Sequence, residues 1–250
     1  MKAWLHRPAL WVLPFLVLGL AAQEAGVRLG FIPQVMIAAP TAILGKMPML
    51  VAEEELLERI GLTFGLTFAA AALAILAGVP VGWALHRFRL LNRAYESWFV
   101  GLGAAPLILL YPLFLVMFGR NLFTITLMGF MVAVIPVVLK TREGMDGVRP
   151  VLIAVGKSFK LSGLRLFWKV QFPAAVPVIF TGIRLGLIVS LINIVALEFL
   201  VNIGGLGRLI NDLAERFETA AMYGAIGFVV AISVTFFVLT ERIELWLRPK

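Results

Sequence analysis

Residues Val151 to Pro173 read VLIAVGKSFKLSGLRLFWKVQFP. Val151, Leu152, Val155 and Phe159 recur near helical spacing, with Lys157 and Lys160 off that stripe, so a short amphipathic helix is expected first. Ser162 and Gly163 break it. A second apolar and basic run, LRLFWKVQF, stops at Pro173, which is placed to open the next helix at its first turn. Two short helices meeting at a bend make a surface rather than a tether. That surface suits either a docking protein or anionic lipid, and the residues alone permit both equally.

The chain around this segment is 61% apolar and 14% charged, with mean hydropathy +0.99, which excludes an ordinary soluble domain. The fold expected is all-α, a polytopic membrane helical bundle. A helical crossing takes about 20 mostly apolar residues. Breaks in the apolar runs give six candidate transmembrane helices, at about 8–23, 60–85, 95–118, 121–139, 173–200 and 222–240. The organisation expected is an N-terminal span with an external segment (1–59), a core of spans (60–240) interrupted by a cytoplasmic loop (140–172), and a short tail (241–250).

With no cysteine and only His6 and His86, neither a disulfide framework nor a metal site is expected. The net charge of +8 could suit nucleic acid, but its distribution reads as orientation. With the N-terminus inside, fifteen of the 22 basic residues fall in the cytoplasm, six outside, and Arg184 stays within a span. The positive-inside rule therefore favours both termini in the cytoplasm, with nucleic acid excluded as a partner. Lys2 and Arg7 before an apolar run ending Gly-Leu-Ala-Ala also resemble a cleavable secretory signal; retention of this first span is the reading adopted. Between the first two spans, Pro33, Pro40 and Pro48 predict an extended external segment, and VAEEELLERI a surface helix feeding the second span.

Within the spans, Gly61/Gly65, Gly78/Gly82 and Gly182/Gly186 place glycine pairs on single helical faces, where neighbouring backbones can approach. Pro80, Pro106, Pro112 and Pro136 predict kinks or local breaks.

The ordered motifs carry a resemblance. Ser158-Phe159-Lys160-Leu161-Ser162, Phe167-Trp168-Lys169-Val170 and Phe172-Pro173-Ala174-Ala175-x-Pro177, running on to Gly182-Ile183-Arg184, resemble the cytoplasmic coupling loop and following helix of ABC importer permeases. Gly78-Val79-Pro80-Val81-Gly82, Glu198-Phe199 and Gly204-Gly205-Leu206-Gly207-Arg208 extend the likeness, which is to the nitrate, sulfonate and taurine type and covers about residues 30–240. It implies a type I importer permease in the inner membrane that pairs with a second permease subunit, in a homo- or heterodimer. Such a subunit receives solute from an extracytoplasmic binding protein and is driven by a separate ATPase. ATP and Mg would belong to that ATPase, with no cofactor held here. In keeping with this, the chain has no G-x-x-x-x-G-K-[ST] phosphate loop.

The resemblance also assigns sites. Ala154, Val155, Lys157, Ser158, Phe159, Lys160, Leu161, Ser162 and Gly163 would meet the ATPase, and Pro173 would carry the movement into the fifth span. The family's usual glutamate and glycine are replaced here by Ala154 and Lys160, and Leu161 stands for an alanine. A compensating ATPase surface is the reading preferred over a partner permease with a standard loop or over weak coupling.

For the pathway, the intramembrane polar residues are the candidates. Arg184 is expected to hold an interhelical contact, Glu198 to line an outer gate or pair locally, and Asn193 to join helices. The scarcity of basic residues at mid-membrane implies a weakly selective pathway, with recognition left to the binding protein. A standalone secondary transporter or channel, and a structural membrane scaffold, are the rival readings.

Overall fold

The structure, a computed structural model, describes residues 9–247, so the charges at Lys2, Arg7, Arg248 and Lys250 lie outside the described residues. The chain opens with α1 (Ala9–Arg28), α2 (Pro40–Ala52), α3 (Leu56–Arg87) and α4 (Arg89–Ala104), then a 3-10 turn at Leu107–Leu110 and α5 (Tyr111–Phe118). It continues with α6 (Leu122–Asp146), α7 (Pro150–Ser158), α8 (Gly163–Leu166), a π turn at Phe167–Gln171, α9 (Phe172–Val201), α10 (Leu206–Glu215) and α11 (Thr219–Leu247). No strand occurs among the described residues.

Four stretches are long and apolar enough to cross a membrane: Leu56–Arg87, Leu122–Asp146, the one from Gly163 that contains α9, and Thr219–Trp246. They answer to the expected spans at 60–85, 121–139, 173–200 and 222–240. The expected span 8–23 begins outside the described residues, and its remainder lies in α1. The expected span 95–118 is broken, with α4 meeting the segment Leu107–Phe118 at 88°. Proline is the cause. Pro106 has no N–H to give and pushes Ala105 into an extended conformation (ψ 140°), so the helix cannot continue.

The core is a three-helix stack with α6 between α3 and α9. Gly78 and Gly82 bring α3 against α6, where a Cβ on Gly82 would lie 2.5 Å from the Val138 carbonyl oxygen. Gly182 and Gly186 do the same from the other side, with added Cβ atoms 2.8 Å from the Pro136 and Ala133 carbonyl oxygens. These two glycine pairs work as expected. Gly61 and Gly65 do not, because a Cβ added at either would meet no other helix within 4 Å among the described residues. Ala74, Ala133 and Val137 fill the middle of the stack, and Ile125, Ile194 and Leu197 its outer end.

The external segment departs from expectation. Pro40 opens α2 at its first turn and Pro48 sits inside it, so 40–52 is helical rather than extended. The acidic run ends that helix instead of forming one: Glu53, Glu54 and Glu55 make the turn into α3, with Glu55 left-handed at φ +53°. At the end of the bundle away from α7, α10 buries Leu206, Leu209 and Leu213 against Leu50, Leu56, Ala221 and Ala225. Burying three leucines is worth about 1.5–3 kcal/mol each, which makes α10 a structural cap. Glu24 on α1 accepts from the Thr41 hydroxyl (2.6 Å) and backbone N–H (3.0 Å), tying α1 to the start of α2.

Candidate functional site

The loop between α6 and α9 forms a compact step at one end of the core. α7 ends at Ser158, earlier than the Ser162-Gly163 break suggested, because Lys160 turns left-handed at φ +58°. Its N–H donates to the Lys157 carbonyl (2.8 Å) and that of Leu161 to the Gly156 carbonyl (3.1 Å). This pair of bonds returning into the last turn is the arrangement in which glycine normally stands at the left-handed position. The backbone therefore explains the glycine usual here, and Lys160 occupies a conformation that a side chain disfavours.

α7 lies tightly on the next helix. A Cβ on Gly156 would come within 2.6 Å of Leu166 Cδ1, while Ile153 packs into the cluster of Met145, Val148, Ala175 and Ile179. The opposite edge is bare: Val151, Val155 and Phe159 are 59%, 49% and 76% exposed. Ala154, Lys157, Ser158, Lys160, Ser162 and Gly163 are exposed as well, and Leu161 is half-buried. Trp168 and Leu164 extend the apolar surface on the second helix.

Pro173 stands in the first turn of α9, as expected, but helical winding does not begin there. One helical rod runs from Gly163 through α9, and the proline follows a π turn in which the Phe172 N–H reaches back to the Phe167 carbonyl. A π turn shifts the bonding register just where proline lacks a donor, so helical winding continues through it. Beside it, Glu96, Arg142, Asp146 and His86 form a chain of polar contacts that joins α4, α6 and α3. Arg142 pairs with Glu96 and with Asp146 (3.2 Å), and His86 with Asp146 (2.5 Å).

At the other end of α9, Glu198 is fully buried. Its carboxylate accepts from the Thr63 hydroxyl of α3 (2.9 and 3.0 Å) and from the Gly207 N–H at the start of α10 (3.0 Å). Thr63 Oγ1 accepts in turn from the Leu206 N–H (3.0 Å). An acid at a helix N-terminus is favourably placed. Only glycines admit this approach: a Cβ on Gly205 would lie 2.3 Å from the Arg59 carbonyl oxygen, and one on Gly207 2.1 Å from that of Val195. Gly204 takes φ +104° beside the same carboxylate. Glu198 thus joins α9, α3 and α10. Thr63, its partner, was not singled out from the sequence, where a threonine amid apolar residues carries no signal.

Arg184 bonds α9 to α11 through Glu244 (3.0 Å) and lies over the Phe237 ring at 5.3 Å. Thr181 donates to the same glutamate (2.9 Å). Glu244 also escaped the sequence reading, since it lies beyond the last expected span. Asn193 makes no interhelical bond; its enclosed Oδ1 has no hydrogen-bond partner among the described residues. It faces a groove of about 590 Å³ between the α4 break, α6 and α9.

The fold agrees with solved importers. The chain superposes on a protein of the MetNI methionine ABC transporter in inward-facing form, with TM-score 0.67, 18% identity and coverage of 81% of this chain and 99% of that one. An amino acid ABC transporter matches with TM-score 0.62 at 18% identity, over 82% of this chain and 96% of that one. In sequence, the riboflavin transport system permease protein RibX of Chloroflexus aurantiacus is 26% identical over 95% of this chain and 88% of its own length. The osmoprotectant import permease protein OsmW of Salmonella typhimurium is 27% identical over 78% of this chain and 96% of its own. Residues 70–250 match the binding-protein-dependent transport system inner membrane component family. A bundle whose central stack carries a loop helix with a bare apolar edge, and whose sequence matches over that range, belongs to this family of importer permeases.

Proposed function

We propose that this permease works with a separate ATPase seated on the α7 edge, an extracytoplasmic binding protein and a second permease subunit, with both of its own termini in the cytoplasm. The carrying observation is the bare ridge of Val151, Val155 and Phe159 on a helix whose other side is locked by Gly156 against Leu166. An apolar edge held rigid and left uncovered suits a partner's groove better than lipid, because α7 is too short to anchor and its neighbours Lys157 and Lys160 would rim such a groove. Movement received there passes along one continuous rod from Gly163 into α9. The ATPase would hydrolyse ATP with its Mg, and this chain would supply the path. The departures at Ala154 and Lys160 fit an ATPase surface adapted to them.

Named relatives carry riboflavin, osmoprotectants, taurine and nitrate, so family likeness assigns a small solute and no more. The test is to co-express the chain with its candidate ATPase and binding protein and measure ATP-driven uptake in proteoliposomes. Phe159→Asp should abolish co-purification of the ATPase while leaving membrane insertion intact. Unchanged co-purification, or uptake indifferent to ATP, would sink the reading in favour of a standalone transporter.

A further inference from the structure

The groove at the α4 break has three properties that belong together. First, the backbone is irregular where two apolar helices of span-like composition meet at 88°, and within a bilayer such backbone is tolerated only where it is buried in protein or borders a water-filled cavity. The Leu107 N–H, which an unbroken helix would give to the Gly103 carbonyl, goes to Ala105 at 2.8 Å instead, and Gly103 lines the groove. Second, Asn193 on the facing helix lines the same groove, and its enclosed Oδ1 has no hydrogen-bond partner among the described residues. It stands five residues before Glu198, about 7.5 Å along the helix towards the cytoplasm. Third, no lining side chain is charged; apart from Asn193 the walls are apolar. Arg184, the one cation near the middle of α9, points elsewhere and is engaged by Glu244 and Phe237.

We infer that this groove is the solute-facing surface of the pathway and that it takes an uncharged molecule, with an apolar body and a hydrogen-bonding edge that meets the Asn193 amide and the Gly103 carbonyl. The inference rests on the importer reading and narrows its solute class. A carbonyl accepts and an amide does both, so the matching edge must donate at one point and may be met by either atom of the amide at the other. An inorganic anion or a sulfonate would enter an apolar-walled groove with no counter-charge, which is costly. A volume of about 590 Å³ lies within the range of small-molecule sites, so a ring-sized solute fits.

The absence of cysteine makes the test direct. Asn193→Cys, and separately Val189→Cys one turn away on the same groove, are placed in the full chain in nanodiscs. Each is treated with an uncharged and with a sulfonate-bearing methanethiosulfonate reagent, using exposed Lys46→Cys as the reference. Both groove thiols should react with the uncharged reagent, and the sulfonate should be slower by about tenfold or more relative to the reference, as an unpaired anion in a low-dielectric site requires. Equal relative rates would overturn the charge class. Failure of both groove sites to react with either reagent, while Lys46→Cys reacts, would mean that lipid or a second copy fills the groove and would overturn the site. ATP-driven uptake tests the importer reading separately and can succeed in either of those cases.

Discussion

Replacing Lys160 by glycine should stabilise the loop that meets the proposed ATPase. Lys160 holds φ +58° at the end of α7, where the Lys160 and Leu161 amides return to the Lys157 and Gly156 carbonyls. A side chain in this left-handed conformation costs about 1–2 kcal/mol, and glycine avoids that cost. Glycine gives back roughly 0.5–1 kcal/mol through its greater freedom in the unfolded segment. The net gain lies between about 0 and 1.5 kcal/mol, and its middle value of about 0.7 kcal/mol slows local opening roughly threefold at tenfold per 1.4 kcal/mol. Lys160 is exposed and its side chain has no bonded partner among the described residues, so little else is lost. Amide hydrogen exchange over residues 156–163 reads the effect where it arises. Lys160→Gly should exchange more slowly at Lys160 and Leu161 than the wild type, and Lys160→Val, β-branched at the same angle, should exchange faster. Equal exchange in all three, or faster exchange in the glycine variant, would refute the account of this turn.

Three further outcomes can be measured. Glu198→Ala leaves the Gly207 N–H and Thr63 hydroxyl without an acceptor in a closed site and should lower thermal stability by about 2–4 kcal/mol, with Thr63→Ala less harmful; a neutral Glu198→Ala would remove its role as a joint. Arg184→Met and Glu244→Leu should each destabilise by about 3–5 kcal/mol, and the double variant should recover much of that, so simply additive melting shifts would argue against a coupled pair. Glu24, held below the usual glutamate range chiefly by the Thr41 hydroxyl and then by the Thr41 N–H, makes the α1–α2 tie firm above its unfolded pKa; the tie is lost as the pH falls through the lowered folded value. The protection of the Thr41 amide, its exchange relative to the base-catalysed rate of an open chain at the same pH, should therefore fall on acidification in the wild type and be independent of pH in Glu24→Gln.

Hydropathy made the long spans legible because a membrane crossing imposes a length: three expected spans fall wholly inside the helices found, and the fourth, 121–139, overshoots α6 only at its N-cap, Asn121. The glycine pairs at 78/82 and 182/186 were legible for a similar reason: small residues on one face mean close backbones. Gly61/Gly65 carry the same pattern without a neighbour, since spacing states what a face allows and not what lies opposite. The break at Pro106 was foreseen as a kink, but its 88° angle depends on Ala105 turning extended, which no periodicity reports. Glu198 was visible as an intramembrane acid, whereas Thr63 and the Gly207 N–H that receive it come from positions 135 and 9 residues away. Such partners are chosen by tertiary packing. The external helix α10 went unread although Leu206, Leu209 and Leu213 have helical spacing, because three glycines just before and within it read first as a turn.

The π turn at Phe167–Gln171 closes a wider ring than an α turn, so the rod from Gly163 to Val201 contains one residue beyond what regular winding needs. That surplus is a splice. It lets the faces above and below keep their own alignments, Gly156 resting against Leu166 and Val170 on one side and Ala175 reaching the α6 cluster on the other. A chain shorter by one residue in this stretch could wind as plain α-helix and still present both faces unchanged, whereas the same deletion elsewhere in α9 would turn Gly182, Gly186 and Glu198 about 100° from their partners.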